Sequence, residues 1–260
     1  MKIALIGYGK MGQLLEETAT FRENEIVAVI DPYAREKTSL FGTLMEKSIV
    51  GSRNLAKADV AIEFSKPDAA FENLKQLSNM QIPTIAGTTN WYDKLAELKT
   101  IVETNGSSIV YAPNFSLAVN LFYRIAQYAA KLLNPFEEGD VGGFEIHHND
   151  KLESPSGTAK VLVERVMSEF KRKKKPVWEM VDRKIEPEEL HFASMRIGAV
   201  PGTHSLIFDS YADNIQITHT ARNRHGFTHG ALYAAEWLIA KPRQGVFTID
   251  DVLDDLIHQL

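Results

Sequence analysis

Gly7-Tyr8-Gly9-Lys10-Met11-Gly12 follows the apolar run Lys2–Ile6 without a gap and opens a stretch of helical character. Strand, glycine loop and helix in that order form the context in which a G-x-G-x-x-G sequence binds a dinucleotide. The three glycines have separate tasks. Gly7 permits a tight turn, Gly9 lets the backbone approach a pyrophosphate, and Gly12 lets the helix pack closely on its strand, with the helix N-terminus facing the phosphates. A second strand, Glu25–Asp31, ends in an acid nineteen residues after Gly12, where a carboxylate accepts hydrogen bonds from a ribose hydroxyl. Together these features predict NADH or NADPH as cofactor. The acid at position 31 would repel a 2′-phosphate and favours NADH, while Lys10 and Arg35 offset that repulsion and leave room for NADPH.

Further along, β-rich runs at Asp59–Ser65, Pro83–Thr88 and Ser108–Ala112 alternate with helix-like stretches at Met11–Thr18, Pro67–Leu77 and Trp91–Thr104. Such alternation predicts an α/β, Rossmann-like, doubly wound parallel sheet. Apolar residues recur at helical spacing from Leu117 to Leu133, a helix that leads out of this unit. Strand-like segments at Gly142–His148, Leu190–Ile197, Ser205–Tyr211 and Asn214–Thr220 then surround one helix, Pro155 to about Lys173. This pattern predicts a second, α+β domain whose sheet can leave one face for a ligand or for partner subunits. Two closing helices, Gly226–Ala240 and Ile249–Ile257, can either finish the second domain or return to the first; the return is favoured, in part by the family likeness described below. The expected division is 1–116 with 228–260 for the dinucleotide-binding domain and 117–227 for a substrate-binding and oligomerisation domain.

The 260 residues are 44% hydrophobic and 24% charged, enough for a substantial core. No apolar run approaches the roughly 20 residues of a membrane-spanning helix, and Ile3–Ile6 is too brief for a secretory signal core. No membrane association is expected. The chain has no cysteine, which excludes disulfides, thiolate metal sites and cysteine nucleophiles and suits a cytoplasmic protein. A net charge of −5 argues against nucleic acid as a partner. The basic run Lys171-Arg172-Lys173-Lys174-Lys175 is expected at a helix C-terminus, solvated and favoured by the helix dipole.

One segment carries an unusual density of chemistry: Glu145-Ile146-His147-His148-Asn149-Asp150-Lys151-Leu152-Glu153-Ser154-Pro155-Ser156-Gly157-Thr158-Ala159-Lys160. Ser154 suits an N-cap and Pro155 the first helical position, so Ser156, Gly157 and Thr158 would offer hydroxyls and unpaired N–H groups to a carboxylate. In a regular strand His147 and His148 point to opposite faces, and both can serve one ligand only if the strand ends there, which Asn149-Asp150 favours. Taken alone, a His-His pair is more often structural than catalytic. A metal site is not expected, because adjacent strand histidines are poorly spaced for one ion.

At this segment the chain resembles the dihydrodipicolinate reductase family, whose signature Glu-x-His-His-x-x-Lys-x-Asp-x-Pro-Ser-Gly-Thr-Ala is matched from Glu145 to Ala159, with Glu153 in place of Asp. Gly87-Thr88-Thr89, Ala112-Pro113-Asn114-Phe115-Ser116, Arg196-Ile197-Gly198 and Gly202-Thr203-His204 extend the likeness over nearly the whole chain. Asn90 replaces a common glycine and Pro113 a small residue. The resemblance implies reduction of 4-hydroxy-tetrahydrodipicolinate, a small cyclic dicarboxylate, to tetrahydrodipicolinate in lysine and diaminopimelate biosynthesis. It implies His147 as acid/base and Lys151 as proton donor, with His148, Ser156, Gly157 and Thr158 binding substrate. Gly87, Thr88 and Thr89 with Ala112, Pro113, Asn114 and Phe115 would line the nicotinamide end, beside Gly7, Tyr8, Gly9, Lys10, Met11, Gly12 and Asp31. It also implies a homotetramer built on the second domain's sheets and closure about hinges near 116–118 and 224–228.

Two other readings compete. One is a different two-domain dehydrogenase acting on a sugar or an amino acid; a sugar dehydrogenase would carry a Lys-Pro pair after the fifth strand, where this chain has Ala112-Pro113-Asn114. A nicotinamide sensor would carry a DNA-binding or partner domain, and no helix-turn-helix beside a basic surface is seen.

Overall fold

The computed structural model describes residues 1–258. The chain divides into two compact units, one made of Met1–Ser116 with the chain from His225 onward, the other of Leu117–Arg224. The return thus comes at His225, where a helix starts, rather than at 228.

The first unit begins β1 (Lys2–Ile6), α1 (Lys10–Phe21), β2 (Glu25–Ile30), β3 (Met45–Glu46), β4 (Val60–Glu63), α2 (Pro67–Asn79), β5 (Thr84–Ala86), α3 (Leu95–Asn105) and β6 (Ser108–Tyr111). The second unit follows with α4 (Leu117–Leu133), β7 (Asp140–His147), α5 (Gly157–Glu169), β8 (Lys175–Val177), β9 (Glu189–Arg196), β10 (Thr203–Asp209) and β11 (Asn214–Thr220). The chain then completes the first unit with α6 (His225–Ile239), β12 (Gly245–Thr248) and α7 (Ile249–Ile257).

All seven strands of the first sheet are parallel, in the order β12-β6-β5-β4-β1-β2-β3. Ile3 to Ile6 and Val60 to Ile62 are buried, as strands covered on both faces must be. Successive strands build outward from β1 in one direction and from β4 in the other, so the order reverses between these two. A crevice at the carboxyl ends of the strands is expected at that switch point. Strand β12 was not evident in the sequence; its four half-buried residues lie at the sheet edge, where their register with Ser108–Tyr111, rather than a strong apolar pattern, defines it.

The second sheet is mixed, in the order β11-β10-β7-β9-β8, with β7, β8 and β9 parallel and β10 antiparallel to β7 and β11. Helices α4 and α5 cover one face, where Phe122, Ala126, Leu162 and Val166 form a core with Phe192, Leu206 and Phe208. On the other face Phe144, Ile146 and Ile207 are half-buried and Met195 is exposed. Among the described residues no helix is long and apolar enough to cross a membrane.

Two local expectations change. Ser156, not Ser154, caps α5: its hydroxyl accepts the Ala159 N–H at 3.1 Å, and the cis Ser154–Pro155 peptide lies before the helix. The helix also ends at Glu169, because Phe170 turns into the core. The basic run that follows is solvated only in part: Lys171, Lys174 and Lys175 are exposed, and Lys171 donates to the Ser168 carbonyl at the helix end. Lys173 is buried, pairs with Asp140 and donates to the carbonyls of Pro187 and Glu189, while Arg172 donates to the carbonyls of Asn134 and Gly139.

Candidate active site

In the first unit the switch point opens into a cleft of about 1050 Å³ lined by Gly7, Tyr8, Gly9, Asp31 and Arg35, with Phe64, Ser65 and Lys66 on the opposite rim. The glycine loop has the shape its sequence suggests. Gly7 has φ +89°, and an added Cβ would stand 2.3 Å from the Phe64 carbonyl oxygen, so no other residue fits. A Cβ at Gly12 would stand 2.3 Å from the Gly7 carbonyl oxygen, so this glycine lets the helix approach the loop itself rather than the strand. A Cβ at Gly9 would meet nothing within 4 Å, which leaves the backbone there open to a phosphate. Lys10, Met11 and Gly12 form the first turn of α1 and do not line the cleft.

Asp31 is held ready for a ribose. One carboxylate oxygen accepts the Tyr8 N–H at 2.7 Å and the other the Tyr33 N–H at 2.8 Å, which fixes its orientation and leaves lone pairs over. Tyr8 in turn bonds through its hydroxyl to Glu16, which also receives the Ser39 hydroxyl, while the Tyr8 oxygen accepts the Leu40 N–H. Burial and that carboxylate push the Tyr8 phenol up to about 12. This cluster ties the loop after β2 to the glycine loop. The cationic side of the cleft comes from Arg35, Lys47 and Lys66, the last lying 3.9 Å from the Tyr33 ring centroid. Lys47, Tyr33 and Lys66 had no signal in the sequence, since only the fold brings them to one cleft.

Gly87, Thr88 and Thr89 follow β5, and Ala112 to Phe115 follow β6. They lie outside the cleft lining and join it through Phe64 and Ser65: a Cβ at Gly87 would strike the Phe64 ring at 2.1 Å, the Phe115 ring sits 6.3 Å from that of Phe64, and Thr88 accepts the Ser65 N–H at 2.9 Å. Asn114 accepts the Ser116 N–H, which shapes the turn after Pro113. Burial pushes the nearby Glu63 carboxyl up, against hydrogen bonds from Ser65, Thr88 and Asn73.

In the second unit β7 ends at His147, and a turn closed by the Lys151 N–H on the His148 carbonyl follows. His147 is buried on the helix-covered face, while His148 and Lys151 are half-buried and Asn149 and Asp150 exposed. The strand thus ends between the two histidines. Lys151 Nζ lies 3.7 Å from Glu153, whose longer side chain is otherwise exposed. Arg196 braces this turn by donating to the carbonyls of Lys151 and Glu153.

Glu145 lies two residues before His147 and shares its face. Oε1 accepts the Ser156 N–H at 3.0 Å and the Ser194 hydroxyl at 2.9 Å, with Arg196 at 3.5 Å; Oε2 lies 3.3 Å from His204 Nε2 and 3.6 Å from His147 Nδ1. Burial pushes this carboxyl up, but contacts from His204, Ser156 and Ser194 outweigh it and hold it at about 2. Burial lowers His147 to about 4; Glu145 opposes the shift, and His204, Lys151 and Arg196 add to it. Glu145, Ser194 and His204 had no expected role, although the Glu-x-His spacing already places Glu145 on the strand face of His147.

Of the residues expected to hold a carboxylate, Ser156 spends its groups internally: its hydroxyl caps α5 and lies 3.1 Å from His204 Nε2. Gly157 is exposed, with nothing within 4 Å of an added Cβ, and Thr158 contacts the Tyr123 hydroxyl. Gly157 and Thr158 leave the open helix N-terminus. Glu145, His147 and His204 bring three possible metal donors within 4.8 Å of one another, a grouping not expected from the sequence. Arg196 and Lys151 already supply positive charge there, and Oε1 is taken by Ser156 and Ser194, an arrangement better suited to proton handling than to a cation.

Comparison with known proteins gives one consistent result. The family models described as dihydrodipicolinate reductase, N-terminus and C-terminus, match residues 1–115 and 118–253. A 4-hydroxy-tetrahydrodipicolinate reductase of Christiangramia forsetii is 39% identical over 98% of this chain and 99% of that protein. The corresponding protein of Staphylococcus aureus is 33% identical over 97% of this chain and all of that protein. A dipicolinate-bound dihydrodipicolinate reductase from Paenisporosarcina sp. TG-14 shares the fold with a TM-score of 0.79 at 21% identity, covering 95% of this chain and 97% of that one.

Proposed function

The chain belongs to the dihydrodipicolinate reductase family, and from that premise we propose how its residues divide the work of the reaction. It is an NAD(P)H-dependent oxidoreductase that reduces 4-hydroxy-tetrahydrodipicolinate to tetrahydrodipicolinate in lysine and diaminopimelate biosynthesis. The observation that carries the assignment of roles is the Glu145–Ala159 segment, folded as a strand end, a lysine-bearing turn and an open helix N-terminus in direct succession.

Loss of the substrate's 4-hydroxyl as water gives the conjugated imine, and the cofactor, when bound, supplies the hydride to its ring. Gly7, Tyr8 and Gly9 hold its pyrophosphate and Asp31 its ribose, with Gly87–Thr89 and Ala112–Phe115 toward the nicotinamide. The fixed acid at Asp31 favours NADH, and Arg35, Lys47 and Lys66 on the same cleft support use of NADPH as well. The substrate's carboxylates are received by Lys151, His148 and the free N–H groups at Gly157 and Thr158. His147, with Lys151 beside it, delivers the proton that the enamine left by hydride addition takes up at the neighbouring ring carbon. Neutral in the resting site, His147 gains proton affinity when a dicarboxylate enters, because nearby negative charge favours imidazolium. The reading extends to a cytoplasmic homotetramer, supported by the cysteine-free chain and by the apolar face of the second sheet.

The test is oxidation of NADH and, separately, NADPH, with substrate generated from aspartate semialdehyde and pyruvate by the preceding synthase. Turnover with NADH favoured, lost in His147→Gln/Lys151→Ala while NADH still binds, is the expected result. No oxidation by folded, NADH-binding protein would overturn it.

A further inference from the structure

An imidazole that transfers a proton needs one nitrogen facing the reacting atom and the other held. The second unit supplies both conditions for His147. On one side of the ring, Nδ1 is buried 3.6 Å from the Glu145 carboxylate, within ion-pair reach though beyond a hydrogen bond, and among the described residues it has no hydrogen-bond partner. That carboxylate cannot swing away, because Ser156, Ser194, Arg196 and His204 hold it from α5, β9 and β10. His204 stands directly opposite Glu145 in the β7–β10 register, and its ring packs edge-on against His147 at 5.0 Å between centroids. On the other side, the backbone of Gly202 passes so near that an added Cβ would stand 3.0 Å from His147 Nε2 and 3.3 Å from Cδ2. Only a residue without a side chain leaves Nε2 uncovered.

We propose that Glu145 and Gly202 are positioning residues that select Nε2 of His147 as the nitrogen exchanging the proton: Glu145 holds the proton on Nδ1, and Gly202 keeps Nε2 clear. This rests on His147 being the acid. In the step itself the Nε2–H bond breaks, its electron pair stays on Nε2, and a C–H bond forms at the ring carbon next to the one that received hydride. Glu145 offsets the positive charge that the imidazolium carries before transfer. Against it stand His204 on β10, Arg196 on β9 and Lys151 in the following turn, so of these four groups Glu145 alone favours the ring's charged form.

Two variants and one spectrum test this. Glu145→Gln keeps the size and the acceptor for Ser156 and Ser194 but removes the charge. It is expected to lower kcat about 10-fold or more with the KM for NADH unchanged, to move the alkaline limb of the kcat profile to lower pH, and to be restored in part by Glu145→Asp. Gly202→Ala is expected to lower kcat without moving that limb. Nitrogen-15 spectra of the imidazole at pH 7 should show the Nδ1–H tautomer in the parent protein and a mixture in Glu145→Gln, a readout that does not need turnover. An unmoved limb and an unchanged tautomer in folded Glu145→Gln, with His147→Gln inactive, would overturn the proposal alone. An active His147→Gln would instead remove the acid assignment on which it rests.

Discussion

Acid sensitivity should be concentrated at a few side chains of the second unit. His147 is lowered by burial from 6.5 to about 4, so between those pH values the unfolded chain binds a proton that the folded chain refuses. Stability therefore falls as the pH drops through that window. Glu145, lowered from 4.5 to about 2, binds its proton more weakly when folded and adds a second loss between those values. His219, also lowered by burial, acts in the same direction as His147. Urea titrations at pH 7 and pH 5 should show His147→Gln losing about 2 kcal/mol less than the parent on acidification. An equal loss would mean that His147 is not held neutral. Lys173 makes a second residue-scale prediction: Lys173→Met leaves two carbonyls without their donor and should cost on the order of 2–3 kcal/mol, while Lys174→Ala, in the same basic run, should cost little. The sequence made His147 and Lys151 legible because their signature is contiguous. It could not reveal the contacts of Glu145 or Lys173, whose partners come from other strands and loops.

At the scale of elements, helices and strands with strong local signals were readable to within a few residues, and α4, α7, β1 and β11 fall on the residues expected. Helix α5 was misplaced at both ends because two serines compete for its cap, and only the Ala159 N–H decides between them. Short edge strands such as β3 and β12 were missed, since two to four residues carry no period. Helix α7 is secured by a reciprocal cap between Thr248 and Asp251 that also fixes the end of β12. Thr248→Ala should lower stability by about 1 kcal/mol, measured by thermal unfolding, without changing KM. In α1, Gly12→Ala drives a methyl group into the Gly7 carbonyl. It should raise the dissociation constant for NADH and NADPH alike by about 10-fold or more, read by fluorescence titration; an unchanged constant would show that the loop tolerates the shift.

For the whole molecule, the doubly wound class and the excursion into a second unit were visible in the order of strands and helices, whereas the exact return at His225 required coordinates. The apolar residues Phe144, Ile146, Met195 and Ile207 on the uncovered face of the second sheet predict assembly: light scattering should give a mass near four times the 29.2 kDa chain, and Met195→Glu should lower it. A monomeric parent protein would remove the tetramer from the proposal.

The placement of α6, β12 and α7 after the second unit also orders events on the ribosome. Residues 117–224 are synthesised as one uninterrupted stretch and can fold as soon as they emerge, whereas the sheet started by β1 waits for the last strand to close its β6 edge. The nascent first unit therefore presents an unpaired strand edge through most of translation, the kind of surface on which chaperones act and misassembly begins. Damage to the short final segment should thus appear less as lost activity per folded molecule than as a lower yield of folded molecules.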